Sequence, residues 1–353
     1  MLKKITLKAG VNQENTRYTN ENGYWATDKV RFRQGTPEKI GGWTRISTNF
    51  FLGVCRSLWN WVTLGGANLL GVGTNLKFYI EQGGTYNDIT PLRTTTTLGT
   101  NPFTGNGTTT VTVTATAHGG TTGDFVTFSG VTGTYASLLN ADFQITVTTV
   151  NAYTIATTSV VAAGSSGGSA VVAAYQIPIG GEYVVPTIGW GAGAWGAGPW
   201  GTGSSSLTPI RIWSQTNFGE NLVFGYRGGP IYYWQNSSGL TSRGVLVSSL
   251  GGAVTFTSAS PTVVTATIAF SAGTALQFSA TGSLPTGVSA ATTYYVSNVS
   301  GLTFNLVNSA GGLVNTTSTG SGVSISSIVD VPVVQNYLLV SDASRFVFAF
   351  GCN

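Results

Sequence analysis

Residues 55–90 read CRSLWNWVTLGGANLLGVGTNLKFYIEQGGTYNDIT, and the fold turns on this stretch. Four short apolar runs, Cys55–Val62, Asn68–Gly73, Lys77–Glu81 and Tyr86–Thr90, are separated by Gly65-Gly66, Thr74-Asn75 and Gly83-Gly84. Aromatic and β-branched residues between glycine turns predict strands joined by tight loops. A four-strand unit of about 40 residues is the size of one propeller blade. A second copy follows at Ile210–Ser214, Asn221–Gly225 and Ile231–Trp234, where Asn221-Leu222-Val223 answers Asn68-Leu69-Leu70 and Ile231-Tyr232 answers Phe78-Tyr79. A third begins at Asn336–Val340 and continues through Phe346-Val347-Phe348. Any one copy taken alone also fits an ordinary antiparallel hairpin.

Between these units lie two stretches that resemble each other. Gly123-Asp124-Phe125-Val126-Thr127-Phe128-Ser129 is answered by Gly273-Thr274-Ala275-Leu276-Gln277-Phe278-Ser279. Downstream, Phe143–Thr149 and Tyr153-Thr154-Ile155 match Tyr294–Val299 and Phe304-Asn305-Leu306; upstream, Val113-Thr114-Ala115-Thr116 matches Val264-Thr265-Ala266-Thr267. A duplicated β-module placed between blade-like units implies insertion into connections of a host fold, which surface loops tolerate.

The composition agrees. Only 8% of the 353 residues are charged, against roughly 25% in an ordinary soluble domain. Glycine occurs 49 times, histidine and methionine once each, and no segment has the period of an amphipathic helix. The fold class expected is therefore all-β: a partial β-propeller-like host of about two and a half blades carrying two inserted, mutually similar small β-domains. The expected divisions are a basic lead-in and docking segment at 1–49, a first blade-like unit at 50–93 and a first inserted domain at 94–176. A Trp/Gly-rich connector at 177–205 and a second blade-like unit at 206–247 follow. A second inserted domain at 248–328 and the start of a third blade-like unit at 329–353 complete the chain.

Mean hydropathy is +0.19, yet no run of about 18 apolar residues exists to form a spanning helix. Strand lengths are uneven and girdle aromatics do not recur, which argues against a porin. Cys55 and Cys352 lack metal or redox spacing and read as reduced thiols. His118 is alone, so a multi-histidine metal set cannot form, and its place in Ala117-His118-Gly119 reads as a solvated turn. Gly191–Gly196 and Gly196–Gly201 both spell G-x-G-x-x-G, but Pro199 and the indoles occupy the ribbon and no helix follows, which excludes a dinucleotide site. The carboxylates are scattered, with no opposed pair for glycoside hydrolysis. The chain is read as a non-enzyme with no cofactor.

Two segments point instead to interfaces. In the lead-in, Val30 and Phe32 alternate with Arg31 and Arg33, giving one apolar and one cationic strand face. Lys39, Trp43 and Arg45 follow. Such a patch suits docking to an acidic neighbour, nucleic acid or a plain solvated face. Twelve of the sixteen Lys and Arg fall in the first 100 residues, so the rest of the chain offers little cationic surface. In the connector, Trp190, Trp195 and Trp200 recur every five residues in a Gly/Ala ribbon. That period fits neither helix nor strand, and burying the indoles, against a partner chain or against this chain's own sheets, would offset the cost of ordering glycine.

Gly10-Val11-Asn12, Arg17-Tyr18, the run Asp28-Lys29-Val30-Arg31-Phe32-Arg33-Gln34-Gly35-Thr36-Pro37-Glu38-Lys39-Ile40-Gly41-Gly42-Trp43 and the Trp-Gly-Ala-Gly ribbon resemble the tail nozzle, tail tubular B-type and head-stabilisation proteins of short-tailed bacteriophages. The lead-in is the specific part; the blade text matches loosely and the inserts are generic. The resemblance implies a virion tail protein, made in the bacterial host cytoplasm, that forms a sixfold homo-oligomeric ring below the portal and adaptor. Tail fibre or needle proteins are further implied partners. Genomic DNA would pass through non-specifically, retained before infection and released during ejection. By similarity, Gly10 to Trp43 would attach the subunit to the ring above or to its neighbour. Incomplete blades cannot close a propeller, so either the product is truncated or another chain completes the sheet. A receptor- or glycan-binding tail module is the alternative, since exposed indoles stack on sugars.

Overall fold

The computed structural model describes residues 7–14, 16–42, 44–45, 47–183, 210–249 and 251–352. It falls into two units, Met1–Thr48 and Asn49–Asn353. In the first, strands β1 (Val30–Arg33) and β2 (Thr36–Lys39) pair as an antiparallel hairpin. Its two-residue turn places Gln34 at φ 48° and Gly35 at φ 78°, the positive angles that a twisted two-residue hairpin requires.

Among the described residues the second unit is all-β, as the sequence predicts, apart from the four-residue helix α1 (Ala136–Leu139) and two single 3-10 turns. Its first sheet is a four-stranded antiparallel meander of β3 (Cys55–Val62), β4 (Asn68–Thr74), β5 (Phe78–Gln82) and β6 (Thr85–Asp88). The fourth strand ends earlier than the sequence suggests. Asp88 Oδ1 accepts hydrogen bonds from the Thr90 N–H (2.9 Å) and hydroxyl (2.6 Å), and this local turn diverts the chain so that Ile89 drops into the core.

An eight-stranded sheet follows, made of β7 (Leu92–Thr97), β8 (Phe103–Gly105), β9 (Thr108–Thr114), β10 (Phe125–Ser129), β11 (Asp142–Thr149), β12 (Ala152–Val161), β13 (Gly164–Ser166) and β14 (Val172–Gln176). The second four-stranded meander contains β15 (Trp213–Phe218), β16 (Asn221–Tyr226), β17 (Tyr232–Trp234) and β18 (Val245–Leu246). Here Ile210 and Arg211 lie before the strand, because Arg211 turns inward to donate to the Pro178 carbonyl. A six-stranded sheet contains β19 (Thr255–Phe256), β20 (Val263–Thr265), β21 (Ala275–Ser283), β22 (Tyr294–Ser300), β23 (Thr303–Val307) and β24 (Ser321–Ile328). The last pair is the hairpin of β25 (Tyr337–Val340) and β26 (Val347–Phe350).

The two larger sheets are copies of one topology. Their shared order is β8-β9-β12-β11-β10-β14 in one and β19-β20-β23-β22-β21-β24 in the other, with β7 and β13 added at the edges of the first. Equivalent side chains fill equivalent places. Val126 and Phe128 are buried as are Leu276 and Phe278, and Tyr153 and Ile155 as are Phe304 and Leu306. Phe103 meets Phe128 edge-on at 5.0 Å, and Phe256 meets Phe278 edge-on at 5.3 Å. Each module also returns its chain to where it left. Leu92 pairs with Gln176, while Val254 N–H donates to Val323 O and Ile325 N–H to Gly252 O. With entry and exit side by side, a module can be spliced into a connection without displacing the sheets that flank it.

The two meanders and the terminal hairpin stack as layers. Phe78 packs on Phe224 at 4.3 Å and edge-on against Trp213 at 4.9 Å, while Trp61 meets Trp234 edge-on. The opposite face of the second meander, through Val223 and Ile231, holds Leu338 and Val340 of the hairpin. In both junctions the first strands lie together. Trp59 donates to Asn217 (3.1 Å) and Gln215 to Ser57 (2.9 Å), joining β3 to β15; Leu338 N–H donates to Ser214 Oγ (3.0 Å), joining β25 to β15. First strand on first strand is the arrangement of successive propeller blades, and the host is a partial propeller-like stack.

Gly71 and Gly73 set the spacing of the first junction. A Cβ added to Gly73 would sit 2.7 Å from Trp213 Cδ1, and one added to Gly71 would sit 2.2 Å from the Gln215 side-chain oxygen. Close approach of another strand is the usual reason for glycine inside a β-run. Gly73→Ala is therefore expected to cost about 1–3 kcal/mol through displacement of Trp213. Urea unfolding followed by tryptophan fluorescence would register this as a lower midpoint with an altered native emission.

Candidate functional site

The lead-in hairpin shows the alternation read from the sequence: Val30 and Phe32 are half-buried, Arg31 and Arg33 exposed. Phe32 packs against Tyr24 at 5.2 Å. The register sets Arg31 opposite Glu38, and Arg31 Nε donates to Glu38 Oε2 at 2.9 Å. The cationic face is thus partly neutralised by its own partner strand, an exposed pair of small energetic weight. Arg33 and Lys39 are exposed. Trp43, Trp190, Trp195 and Trp200 lie outside the described residues.

The densest charged cluster lies elsewhere, where the first module meets both meanders. Thr74 shapes it: its hydroxyl accepts from the Leu76 and Lys77 N–H groups and donates to Lys77 O, a tight turn that starts β5 with Lys77 directed inward. The Lys77 side chain is only 3% exposed. Its Nζ contacts Asp88 Oδ2 at 2.7 Å and Asp142 Oδ2, and lies 4.4 Å from the centre of the Phe125 ring. Arg243 Nη1 meets the other Asp88 oxygen at 2.8 Å and also donates to Thr90 O at 3.2 Å. Asp142 Oδ1 accepts from Thr127 Oγ1 (2.9 Å) and Gln176 Nε2 (2.8 Å). Two cations face two carboxylates, and both carboxylates carry further hydrogen bonds. That is the condition under which buried charge is tolerated. Burial alone would push the Asp88 carboxyl upward; Lys77 and Arg243 outweigh it and hold the group below its usual range.

His118 is buried, 6% exposed, and the expectation of a solvated turn is corrected. The turn is real, but the ring is inserted against Tyr153 at 5.0 Å. Nδ1 accepts from Gly120 N–H and Nε2 donates to Thr149 O, both at 3.0 Å, which fixes the neutral tautomer with the proton on Nε2. Arg93 closes the same loop by donating to the His118 and Gly119 carbonyls.

Two surface features remain. On the first module, a cleft of about 410 Å³ is lined by the hydroxyls of Thr110, Thr122, Thr146 and Thr154 and the Gln144 amide together with the non-polar Gly123, Ile145, Ile155 and Ala156, and carries no charge. At one end of the stack, the hairpin turns Tyr337, Leu339, Phe348 and Phe350 to solvent, with Tyr337 opposite Phe350 and Leu339 opposite Phe348. Among the described residues, no three His, Cys, Asp or Glu side chains stand close enough to hold a metal ion. No helix among them is long and apolar enough to cross a membrane.

No protein-family model matches the chain, and no curated protein gives a significant match. Among solved structures it is similar to the phage phi92 endosialidase, at 12% identity and a TM-score of 0.22, over 82% of this chain and 50% of that one. The chain spans half the length of that protein. At so low a score the likeness defines neither the fold nor the chemistry of this chain.

Removal of Asp88 tests the charged junction. Asp88→Asn is expected to destabilise the protein by about 3 kcal/mol at neutral pH, because Lys77 and Arg243 lose a shared partner in a low-dielectric site. A carboxyl held below its ordinary 3.8 stabilises the fold above that value and ceases to do so as pH falls through the folded pKa. Urea midpoints measured from pH 7 downward should therefore converge for wild type and variant below pH 3.8. A gap that persists unchanged in acid would contradict the assignment.

Proposed function

We propose that this chain is a structural, non-enzymatic subunit of a bacteriophage tail, and more finely a component of a nozzle ring. Such a ring would continue the DNA channel below the portal and adaptor, retain the genome, and release it on ejection. The observation that carries the reading is the division of the surface. The charged groups at the module junction satisfy one another, whereas the end of the layer stack presents a row of uncharged aromatic and aliphatic side chains. Exposed apolar patches of that kind mark association surfaces. The resemblance of Gly10 to Trp43 to short-tailed phage nozzle proteins points the same way, with Arg33 and Lys39 as exposed docking cations.

DNA passing such a ring is best left unbound, since each phosphate contact adds salt-dependent affinity and hence drag. A distribution of cations that is thin beyond the lead-in suits passage rather than grip. Imaging of intact particles with this protein labelled is expected to place the label at the tail, beneath the portal. Particles lacking the protein are expected to lose DNA after packaging. Label confined to fibres, or full retention of genomes without the protein, would overturn the proposal.

A second reading, a glycan-binding tail module, is favoured by the uncharged cleft on the first module, whose hydroxyls and amide match the polar groups of neutral sugars. On a glycan array this reading expects saturable binding that Gln144→Ala or Trp195→Ala abolishes. An array without any saturable signal would remove it.

A further inference from the structure

The Lys77 junction holds an amine, a carboxyl carbon and a proton carrier in mutual contact. Lys77 immediately precedes β5 and Asp142 begins β11, so the two stand 65 positions apart and only the folded chain brings them together. Lys77 Nζ touches Asp142 Oδ2, one bond from the carboxyl carbon, and lies 2.7 Å from Asp88 Oδ2. The Lys77 side chain is 3% exposed, with the Phe125 ring centre 4.4 Å from Nζ. The other Asp142 oxygen, Oδ1, accepts from Thr127 Oγ1 at 2.9 Å and from Gln176 Nε2 at 2.8 Å. We propose that Lys77 and Asp142 condense spontaneously to an isopeptide bond, a covalent tie between the first meander and the first module. The inference goes beyond the tail reading and does not depend on it.

Holding the reactants in contact supplies the proximity that an uncatalysed condensation lacks. Asp88 takes a proton from the Lys77 ammonium, and the freed amine attacks Asp142 Cγ. As the C–N bond forms, an electron pair moves onto Oδ1, where the Thr127 hydroxyl and the Gln176 amide already point to receive it. Asp88 hands its proton to Oδ2, then carries a second one from the nitrogen to the same oxygen. The C–Oδ2 bond breaks and water leaves. An ammonium and a carboxylate have become an amide and one water, with no oxidant or further reactant consumed. The new N–H keeps Asp88 as its acceptor and the new C=O keeps Thr127 and Gln176 as its donors, so both polar groups of the amide stay paired. The amide also removes one buried cation and one carboxylate. Arg243 slows the first transfer: against burial, Lys77 and Arg243 together hold the Asp88 carboxyl below its usual range. Closure therefore follows folding slowly. The ion-paired chain, to which the acid unfolding series of Asp88→Asn applies, is its precursor.

Intact-mass spectrometry of the purified full chain, stored folded at neutral pH and then denatured, tests this. Wild type is expected to lose the mass of one water, and proteolysis to yield a branched peptide joining Lys77 to Asp142. Asp142→Asn is expected to lose ammonia instead, and so to reach the same product mass as closed wild type. Lys77→Met is expected to keep its sequence mass. Asp88→Asn should close at least about 100-fold more slowly for want of a proton carrier, and Asp88→Glu should recover part of the rate. Circular dichroism checks that each variant is folded. Folded wild type that keeps its sequence mass would overturn the inference. So would a water lost within one peptide, as in a cyclised aspartate, rather than between the two. Equal closure rates in wild type and Asp88→Asn would refute the route through Asp88. Each of these results leaves the tail-subunit reading to the labelled-particle experiment.

Discussion

The contact of Phe78 with Phe224 and Trp213 is the constraint on which the host stack depends. It joins two meanders separated in sequence by an entire module, and it buries large rings that together contribute several kcal/mol. Such a long-range contact would ordinarily pay for closing a long loop. Here the module between them brings its own ends together through the Leu92–Gln176 pairing, which takes its residues out of the loop that the host chain has to close. The second module repeats the device with Val254 and Val323, which lets the hairpin reach Val223 and Ile231. Insertion at matched ends explains how a stack of thin sheets can carry two modules without losing its register.

The polar contacts do a different task. Aromatic burial is strong but tolerant of sliding, whereas hydrogen bonds from Trp59 to Asn217 and from Gln215 to Ser57 fix which strand faces which. The Lys77 cluster does the same for the angle of the first module, since Lys77 and Asp88 belong to the first meander, Asp142 to the module and Arg243 to the second meander. Removing any one of the four would leave a partly buried charge short of a partner, which makes the geometry self-enforcing.

Much of this was legible from residue order. The period-two pattern of Val30 to Arg33, the glycine-separated runs between Cys55 and Thr90, and the match of Phe128 with Phe278 are local signals, and local backbone physics carries them. What was not legible depends on contacts across distance. Nothing near Lys77 announces a partner at Asp142, and nothing near Arg31 announces Glu38 until a turn sets the register. His118 looked solvated because a lone histidine beside glycine usually is; only the fold brings Tyr153 against it. Gly71 and Gly73 could have been noticed, since two glycines on one face of a strand are costly unless something lies close above them.

The low charge of the chain gives these observations a common consequence. With 8% charged residues and a net charge of +4, there is little long-range field to steer encounters or to repel unsuitable neighbours. Selection among partners must then come from shape and from directional hydrogen bonds at short range. A sheet face is well suited to that, because its rows of side chains admit a partner only in a register that interdigitates. The internal junctions already use this discrimination twice, with rings across the first seam and aliphatic side chains across the second, while polar side chains at the first strands set the alignment. A surface that continued the same pattern would inherit the same selectivity, and it would need no charge to do so.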